Sequence, residues 1–582
     1  MVALAAAAWL GERATTINYE LNTASELIPS IKDAVAANDS KRATAVTEKL
    51  RSHTAEAKRA AEDPVWTLAS SIPIAGPNFS AVSEVARSAD DVATLGLEPL
   101  VKVFDVLDWD TLLPSSSGAD LSSIEAAAPT VSSAAQAVRL SAERLHQIDT
   151  TKLLPQVADP LIRARGELLD VTGTLDAAAH ASATLPAMLG SDAPRNYLLM
   201  IQNNAEARAS GGIPGALAIL SLDGGKLTLS AQSSAGELGI MAPTVPVDSV
   251  QQQIYSARLG KFMQDVNLTP DFPTAAATAQ AMWERKTGQR VDGVLSIDPV
   301  ALGYILDATG SVKISNPELT SLTNLGLPAE LTGTNVVQTL LSDVYAKIAQ
   351  PKLQDAYFAG VAQEIFATLS TGKADPKRLM EGIGRGASEG RILVWSDEPQ
   401  EQAVIDRYPI AGAISGPSVA AAQFGVYFND GTGAKMDYYV KHSVGLIKEC
   451  PKDGYEQTTV RITSTNTAPA DAATSLPAYV TGDGIFGVPP GSVQTNIMAY
   501  GPVQANVEIA RLDGQKTEFA PYLHSGRPVG VLAVRLAPGE SRTVEFTFGK
   551  IVQHTEPNLF VTPTVQDVND VILPTGVASC GQ

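Results

Sequence analysis

The sequence predicts a multi-domain α+β protein, and three observations lead to that class. The first third is alanine-rich and helical in its spacing. Strands then alternate with helices, and after about Ala420 helical spacing gives way to short period-two strands between turn signals. At 582 residues the chain exceeds one ordinary core. Hydrophobic residues at 45% against 18% charged mark it as globular. The net charge of −19, with no basic block to offset it, argues against a nucleic-acid partner.

The chain starts "MVALAAAAWLGER". Val2 to Leu10 is wholly apolar but far shorter than the ~20 residues that span a bilayer. No basic segment precedes it and no small-residue cleavage site follows. Residues 1–12 therefore read as the outer end of a transmembrane helix whose larger part this sequence lacks; a buried helix start is the plain alternative. The first reading anchors the protein in the cell membrane and makes the rest extracytoplasmic.

Residues 13–188 read as a helical stalk or bundle, with Ile28, Ile31 and Val35 on one helix face and Leu161, Leu168, Val171 and Leu175 on another. "DPVWTLASSIPIAGPNF" and "LLPSSSGADLSS" interrupt the helical pattern with prolines and glycines.

Residues 189–415 read as an α/β domain with a mixed sheet. "NYLLMI" is a strand, "GALAILSLDGGKLTLSA" a hairpin turning at Asp223-Gly224-Gly225, and "VDGVLSIDPVALGYILDATG" a strand, turn and helix. Residues 416–582 read as an antiparallel, immunoglobulin-like β-sandwich, with "LAPGESRTVEFTF" as a hairpin entering an edge strand. The two cysteines, Cys450 and Cys580, fall in this region. A disulfide between them fits an oxidising compartment and would tether the C-terminal tail; two unrelated thiols are the alternative.

The candidate chemistry follows the first strand of the α/β region. In "QNNAEAR", Asn203, Asn204, Glu206 and Arg208 crowd one strand end. Arg208 offers a planar fork for phosphate or carboxylate, and the amides suit sugar hydroxyls. "QDVNLTPDFPTAA" adds Asp265, Asn267 and Asp271, and "VDGVLSIDP" adds Asp292 and Asp298. Each has a plain structural reading as well. Glu206 with Arg208 could be a salt bridge closing a turn, Asp271 a helix cap and Asp292 a turn residue. The six scattered histidines have no metal-ligand spacing, so zinc is not indicated; Asp265 and Asp271 are the residues that could hold magnesium. "SGGIPG" leads into a strand, so it lacks the helix N-terminus a phosphate loop needs.

The motifs "YLLMIQNNAEARASGG", "NLTPDFPTAA" and "VDGVLSIDPVALGYILDATGSV", with "LPAYVTG" farther on, resemble the bacterial domain-of-unknown-function family 4012. The resemblance implies a single-pass, extracytoplasmic protein of actinobacteria and related bacteria. The central region is also similar, more distantly, to LytR-CpsA-Psr phosphotransferases, which move a glycan phosphate from a polyprenyl-diphosphate carrier to the cell wall. That similarity implies a cell-envelope glycan-processing enzyme, a transferase acting on a wall polysaccharide. Arg208 and Arg391 would clamp the diphosphate, and Asp265 or Asp271 would hold magnesium or take a proton. A glycosidase or transglycosylase pairing Glu206 with Asp271 or Asp292 is a second expectation. A non-catalytic surface protein that binds polysaccharide or another protein is the third.

Overall fold

A computed structural model describes residues 2–108, 111–112, 118–370 and 374–580. Met1 of the expected membrane segment, and residues 113–117 of the second helical break, lie outside the described residues. The chain is multi-domain α+β with mixed sheets. It divides into two compact units: residues up to Leu112 with Ala119–Ala193, and a second built on Pro194–Gln582.

The first unit is all helix: α1 (Val2–Ala36), α2 (Ser40–Ala61), α3 (Pro64–Ala69), α4 (Gly76–Asp91), α5 (Glu98–Val106), α6 (Leu121–His146) and α7 (Pro155–Met188). Asp39 caps α2 by accepting from the Arg42 amide, and Asp63 caps α3 by accepting from the Val65 amide. The buried seams are mostly alanine, including Ala34, Ala43, Ala57 and Ala134. Small side chains let the helix axes approach closely, which offsets the shortage of large core residues. Of the apolar faces expected from spacing, Ile31 and Leu161 are buried, whereas Ile28, Val35 and Val171 are exposed. Alanine, apolar yet weak as a periodic signal, took their place in the seams. No helix among the described residues is long and apolar enough to cross a membrane.

The second unit begins with β1 (Arg195–Arg208), β2 (Gly211–Asp223) and β3 (Lys226–Ser234). Asp223, expected in the turn, pairs with Lys226 at the end of the ladder, so Gly224 and Gly225, both at positive φ, make a two-residue turn. Next come α8 (Ser249–Tyr255), α9 (Phe272–Thr287), β4 (Gly293–Ile297) and α10 (Pro299–Thr309). A two-stranded ribbon, β5 (Val312–Lys313) with β6 (Glu330–Leu331), precedes the last strand of the main sheet, β7 (Ile392–Ser396). The sheet order is β3-β2-β1-β4-β7, with only β1 and β4 parallel. Leu198 and Met200 of β1 and Leu217 and Ile219 of β2 pack against Phe272, Ala275, Ala276, Ala279 and Met282 of α9.

The remaining strands form two stacked sheets. One has β8 (Gln423–Asp430), β11 (Val493–Tyr500), β14 (Ala520–His524), β15 (Arg527–Leu536) and β17 (Asn558–Val561). The other has β9 (Val440–Lys448), β10 (Glu456–Asn466), β12 (Asn506–Leu512), β13 (Gln515–Thr517), β16 (Ser541–Ile551) and β18 (Gly576–Val577). Phe424, Val426, Phe428, Val460, Ile462, Val544, Phe546 and Phe548 fill the space between them. Here the expectation for "LAPGESRTVEFTF" fails in two ways. The turn joins β15 in one sheet to β16 in the other, so it is no hairpin, and β16 lies between β12 and β10, so it is no edge. Turn chemistry marks where a strand begins, but not which sheet receives it.

A disulfide joins Cys450 to Cys580, with Cα atoms 5.6 Å apart. It lies just beyond the parallel pairing of β18 on β9, where Gly576 meets Ile447 and Val577 meets Lys448. A two-residue strand pairs too little backbone to hold itself in place, and the covalent link fixes it.

Candidate functional site: a buried ionic joint

The strand that was expected to end at Ile201 continues to Arg208, so the polar residues lie within β1 and not in a loop after it. Asn203 pairs with Ile213 and Ala207 with Gly212, which leaves Asn204, Ala205 and Glu206 bulged out of the ladder. Gly212 makes the bulge possible. A Cβ there would lie 2.2 Å from the carbonyl carbon of Asn203 and 2.5 Å from the Asn204 nitrogen. This is the structural role of "SGGIPG": close passage of two backbones.

The bulge delivers charge into a buried cluster. Glu206 Oε1 lies 3.0 Å from Arg208 Nη2, and its Oε2 lies 2.6 Å from Lys435 Nζ. Arg208 Nη2 also reaches Asp265 Oδ1 at 3.2 Å, and Arg258 Nη2 lies 2.7 Å from Asp265 Oδ2. Glu206, Arg208, Asp265 and Lys435 are all buried. Burial alone would raise the Glu206 carboxyl, but Lys435 and Arg208 hold it below its ordinary value. Burial would lower the Arg208 guanidinium, yet Glu206 and Asp265 raise it. Asp437 is pushed well up, first by burial and then by the charge of Asp430. It keeps one hydrogen bond, accepting at Oδ2 from the Ala207 amide at 2.7 Å. Asn203 donates to the Tyr345 hydroxyl, and Asn267 donates to the Gly212 carbonyl at 2.8 Å.

A second buried network lies at the same end of the sheet. Arg391, just before β7, meets Asp298, just after β4, with Nη1 2.8 Å from Oδ2; its Nε is 2.6 Å from Glu389 Oε2. It also donates to the carbonyls of Thr564 at 2.8 Å and Gln566 at 2.9 Å. Asn204 donates to Asp298 at 3.1 Å and to the Pro563 carbonyl at 3.2 Å. Asp298 further caps α10 by accepting from the Ala301 amide at 2.8 Å. The two networks together bind the end of β1 and the β4–β7 edge to the stacked sheets. Lys435 and Asp437 follow β8, and 563–566 follow β17.

The structure thus brings together Asn204, Glu206, Arg208, Asp265 and Arg391, but as partners of one another and of the β region. Asp292 does not join them. It accepts from the Asn196 amide at 2.7 Å, beside the first residues of β1, whereas Glu206 lies ten residues farther along that strand. At ~3.3 Å per residue the two carboxylates are on the order of 25–30 Å apart, far beyond the 5–9.5 Å a glycosidase pair needs. Parallel pairing of β1 with β4 puts them at opposite ends of the sheet. Asp271 stands before α9, where its carboxylate accepts from the Thr274 hydroxyl at 2.6 Å and bonds no backbone amide of the helix. Asp265 does not fit a magnesium ion, because both of its oxygens face guanidinium groups. No group of three or more His, Cys, Asp or Glu side chains suited to a metal occurs among the described residues.

Open space is found away from these networks. Two clefts share Asp248. One, of about 390 Å³, is lined by Asp248, Val250, Gln251, Leu523, His524, Ser525 and Gly526. The other, of about 610 Å³, adds Val245, Pro273, Thr274 and Ala277 along α9. Gln251 donates to Thr274 Oγ1 at 3.0 Å, and Thr274 donates onward to Asp271. Behind the first cleft the hydroxyls of Tyr255 and Tyr500 and Nδ1 of His524 form a buried chain, the last link 2.8 Å. Burial keeps the His524 imidazole below its ordinary pKa, although Asp271 and Asp248 oppose that shift. These residues come from α8, α9 and the β14–β15 turn, far apart in sequence and each unremarkable there, so no local motif could have signalled the cleft.

Residues 192–345 match the family model described as "Protein of unknown function (DUF4012)". The DUF4012 region holds β1 to β4, the bulge, Asp265 and Asp298, and it ends at Tyr345, the partner of Asn203. Lys435 and Arg391 lie outside it, so each network joins the DUF4012 region to later sequence. No curated protein matches the chain.

Proposed function

We propose that the protein is a non-catalytic, extracytoplasmic surface protein, attached to the cell membrane, that binds an envelope polysaccharide. One observation carries this reading over the expected glycan transferase. Of the residues that would clamp a diphosphate or act as acid and base, Glu206, Arg208, Asp265 and Arg391 are buried in ion pairs, and Asp271 and Asp292 stand apart from them. Arg208 already donates through Nη1 and Nη2 to Glu206, Asp265 and the Ala207 carbonyl, and the N–H it keeps, at Nε, is buried. The clefts at Asp248 offer neutral and carboxylate hydrogen-bonding groups beside apolar walls, a surface suited to sugar hydroxyls and ring faces. The disulfide is compatible with an oxidising, extracytoplasmic compartment. Under this reading the LytR-CpsA-Psr-like and immunoglobulin-like comparisons concern architecture alone.

The test is to incubate the full chain with envelope polysaccharide and with a polyprenyl-diphosphate-linked glycan, with and without magnesium. Binding of polysaccharide without turnover, weakened by Val250→Trp at the mouth of the cleft, is the expected result. Transfer or cleavage of either substrate would overturn the reading, and magnesium dependence would separate phosphotransfer from carboxylate chemistry.

A further inference from the structure

The smaller of the two clefts at Asp248 has a chemistry that narrows what can enter it. Val250 and Leu523 line it with exposed aliphatic side chains, beside Asp248, Gln251, His524 and the Ser525-Gly526 turn. No lysine or arginine occurs among the described residues that line either cleft. Asp248 is exposed and spends Oδ2 on the Gln251 amide at 3.0 Å, which leaves Oδ1 for a ligand.

The same cleft is lined by a buried acceptor that lacks a donor. Gln251 is 6% exposed. Its side-chain nitrogen donates to Thr274 Oγ1 at 3.0 Å, and Thr274 donates in turn to Asp271 at 2.6 Å, so the side-chain amide has one orientation. Oε1 is left unpaired. A buried acceptor without a donor is destabilising, and a ligand that brings an N–H or O–H to it is favoured to the same extent. His524 offers Nε2, because the Tyr500 hydroxyl occupies Nδ1 at 2.8 Å.

Charge then sorts the ligands. The charges that reach the His524 ring are those of Asp271, Asp248 and Arg527. Arg527 is buried, and its Nε, Nη1 and Nη2 donate to the carbonyls of Gly501, Ile414 and Gln423 at 3.0, 2.9 and 2.8 Å. Burial keeps the His524 imidazole below its ordinary pKa, so it adds no charge near neutral pH. An anion such as a uronate or a phosphate therefore meets an open carboxylate and no open cation. An ammonium brings three donors and a positive charge, which suits that carboxylate and the unpaired amide oxygen.

We infer that the ligand of this cleft is an amino sugar with an unacetylated amine, its ammonium held by Asp248 and Gln251 and its ring resting on Val250 and Leu523. This assignment rests on the polysaccharide reading and gives it a sugar class.

The experiment is calorimetric titration of the full chain with short glucosamine oligomers, their N-acetylated counterparts and oligogalacturonate. A pH of about 6 keeps the amine charged and the carboxylates ionised. The glucosamine oligomer should bind about tenfold tighter than the N-acetylated one, and oligogalacturonate should not bind. Wild-type affinity for the amine should fall as salt rises. Asp248→Asn keeps an acceptor for the Gln251 amide, so α8 stays capped, but it removes the charge. It should abolish the preference for the amine with little change in melting temperature. Equal affinity for the two oligomers, or a preference that survives in Asp248→Asn, overturns the inference. If Val250→Trp still blocks both oligomers, the polysaccharide reading stands without it. Failure of all three to bind, while envelope polysaccharide is still held, likewise overturns the sugar class alone. A lysine-rich peptide that binds more tightly than the glucosamine oligomer also overturns it and gives the cleft to a protein. Loss of envelope polysaccharide binding as well removes both readings.

Discussion

Lys435 Nζ lies 2.6 Å from Glu206 Oε2, and through that contact the turn after β8 holds the bulge of β1. The two residues are 229 apart in sequence, and both are buried. Taking two such ions out of water costs several kcal/mol each, and only good geometry with further partners offsets it. Arg208 and Asp265 are those further partners. The pair therefore specifies how the first sheet docks on the β region, and removing Lys435 leaves Glu206 Oε2 without its counter-ion while Oε1 stays paired with Arg208.

Lys435→Met should destabilise the second unit by about 3–5 kcal/mol, with the loss partly recovered in Glu206→Gln/Lys435→Met. Urea denaturation followed by intrinsic fluorescence measures both. Equal stability of wild type and Lys435→Met would remove the structural account of the cluster.

Arg391→Met should cost a similar amount, about 3–5 kcal/mol, because Asp298 and Glu389 lose their buried counter-ion. It also loses the donors to Thr564 and Gln566, so amide exchange should rise in 562–568 before it rises in β8. Exchange that rises evenly across the β region would show that Arg391 does not hold this segment specifically.

His442 is stacked on Phe428 with ring centroids 3.9 Å apart, and its Nδ1 lies 2.8 Å from Ser464 Oγ. Burial lowers its pKa to about 3. A folded-state value below the unfolded one means the neutral ring's contribution is complete above about pH 6.5. It is lost as the pH falls from there toward 3, at up to about 1.4 kcal/mol per pH unit. His442→Gln should flatten the decline in stability between pH 6 and 4. An unchanged slope in denaturation midpoints across that range would contradict it.

Reduction of Cys450–Cys580 releases a closed loop of 130 residues, worth about 4–5 kcal/mol in the chain-entropy model. The β18–β9 pairing should be the first to open, seen as faster exchange at the Ala578 amide, which bonds the Lys448 carbonyl at 2.9 Å. If reduction lowers the melting temperature without loosening β18, the bridge acts on the unfolded chain alone.

The order of the elements was legible in the sequence because it depends on local periodicity and turn residues. The Gly224-Gly225 turn, the strand at Gly293–Ile297 and the helix that follows it fall where spacing and backbone preference put them. The concentration of unusual polar residues after Ile201 was also legible, and it does mark an irregular place: a bulge that leaves the ladder. What each residue does there was not. Whether Arg208 faces a ligand or a carboxylate depends on Asp265, which reaches it only through tertiary packing, as Lys435 reaches Glu206. The same holds for the opposite placement of Asp292, set by the parallel register of β1 and β4, and for the cleft at Asp248. By itself the sequence determined periodicity, turns and the supply of charge, which are properties of neighbours along the chain. Only the tertiary structure decided which charges meet, because desolvation and ion pairing act through space over a few ångströms, whatever the separation in sequence.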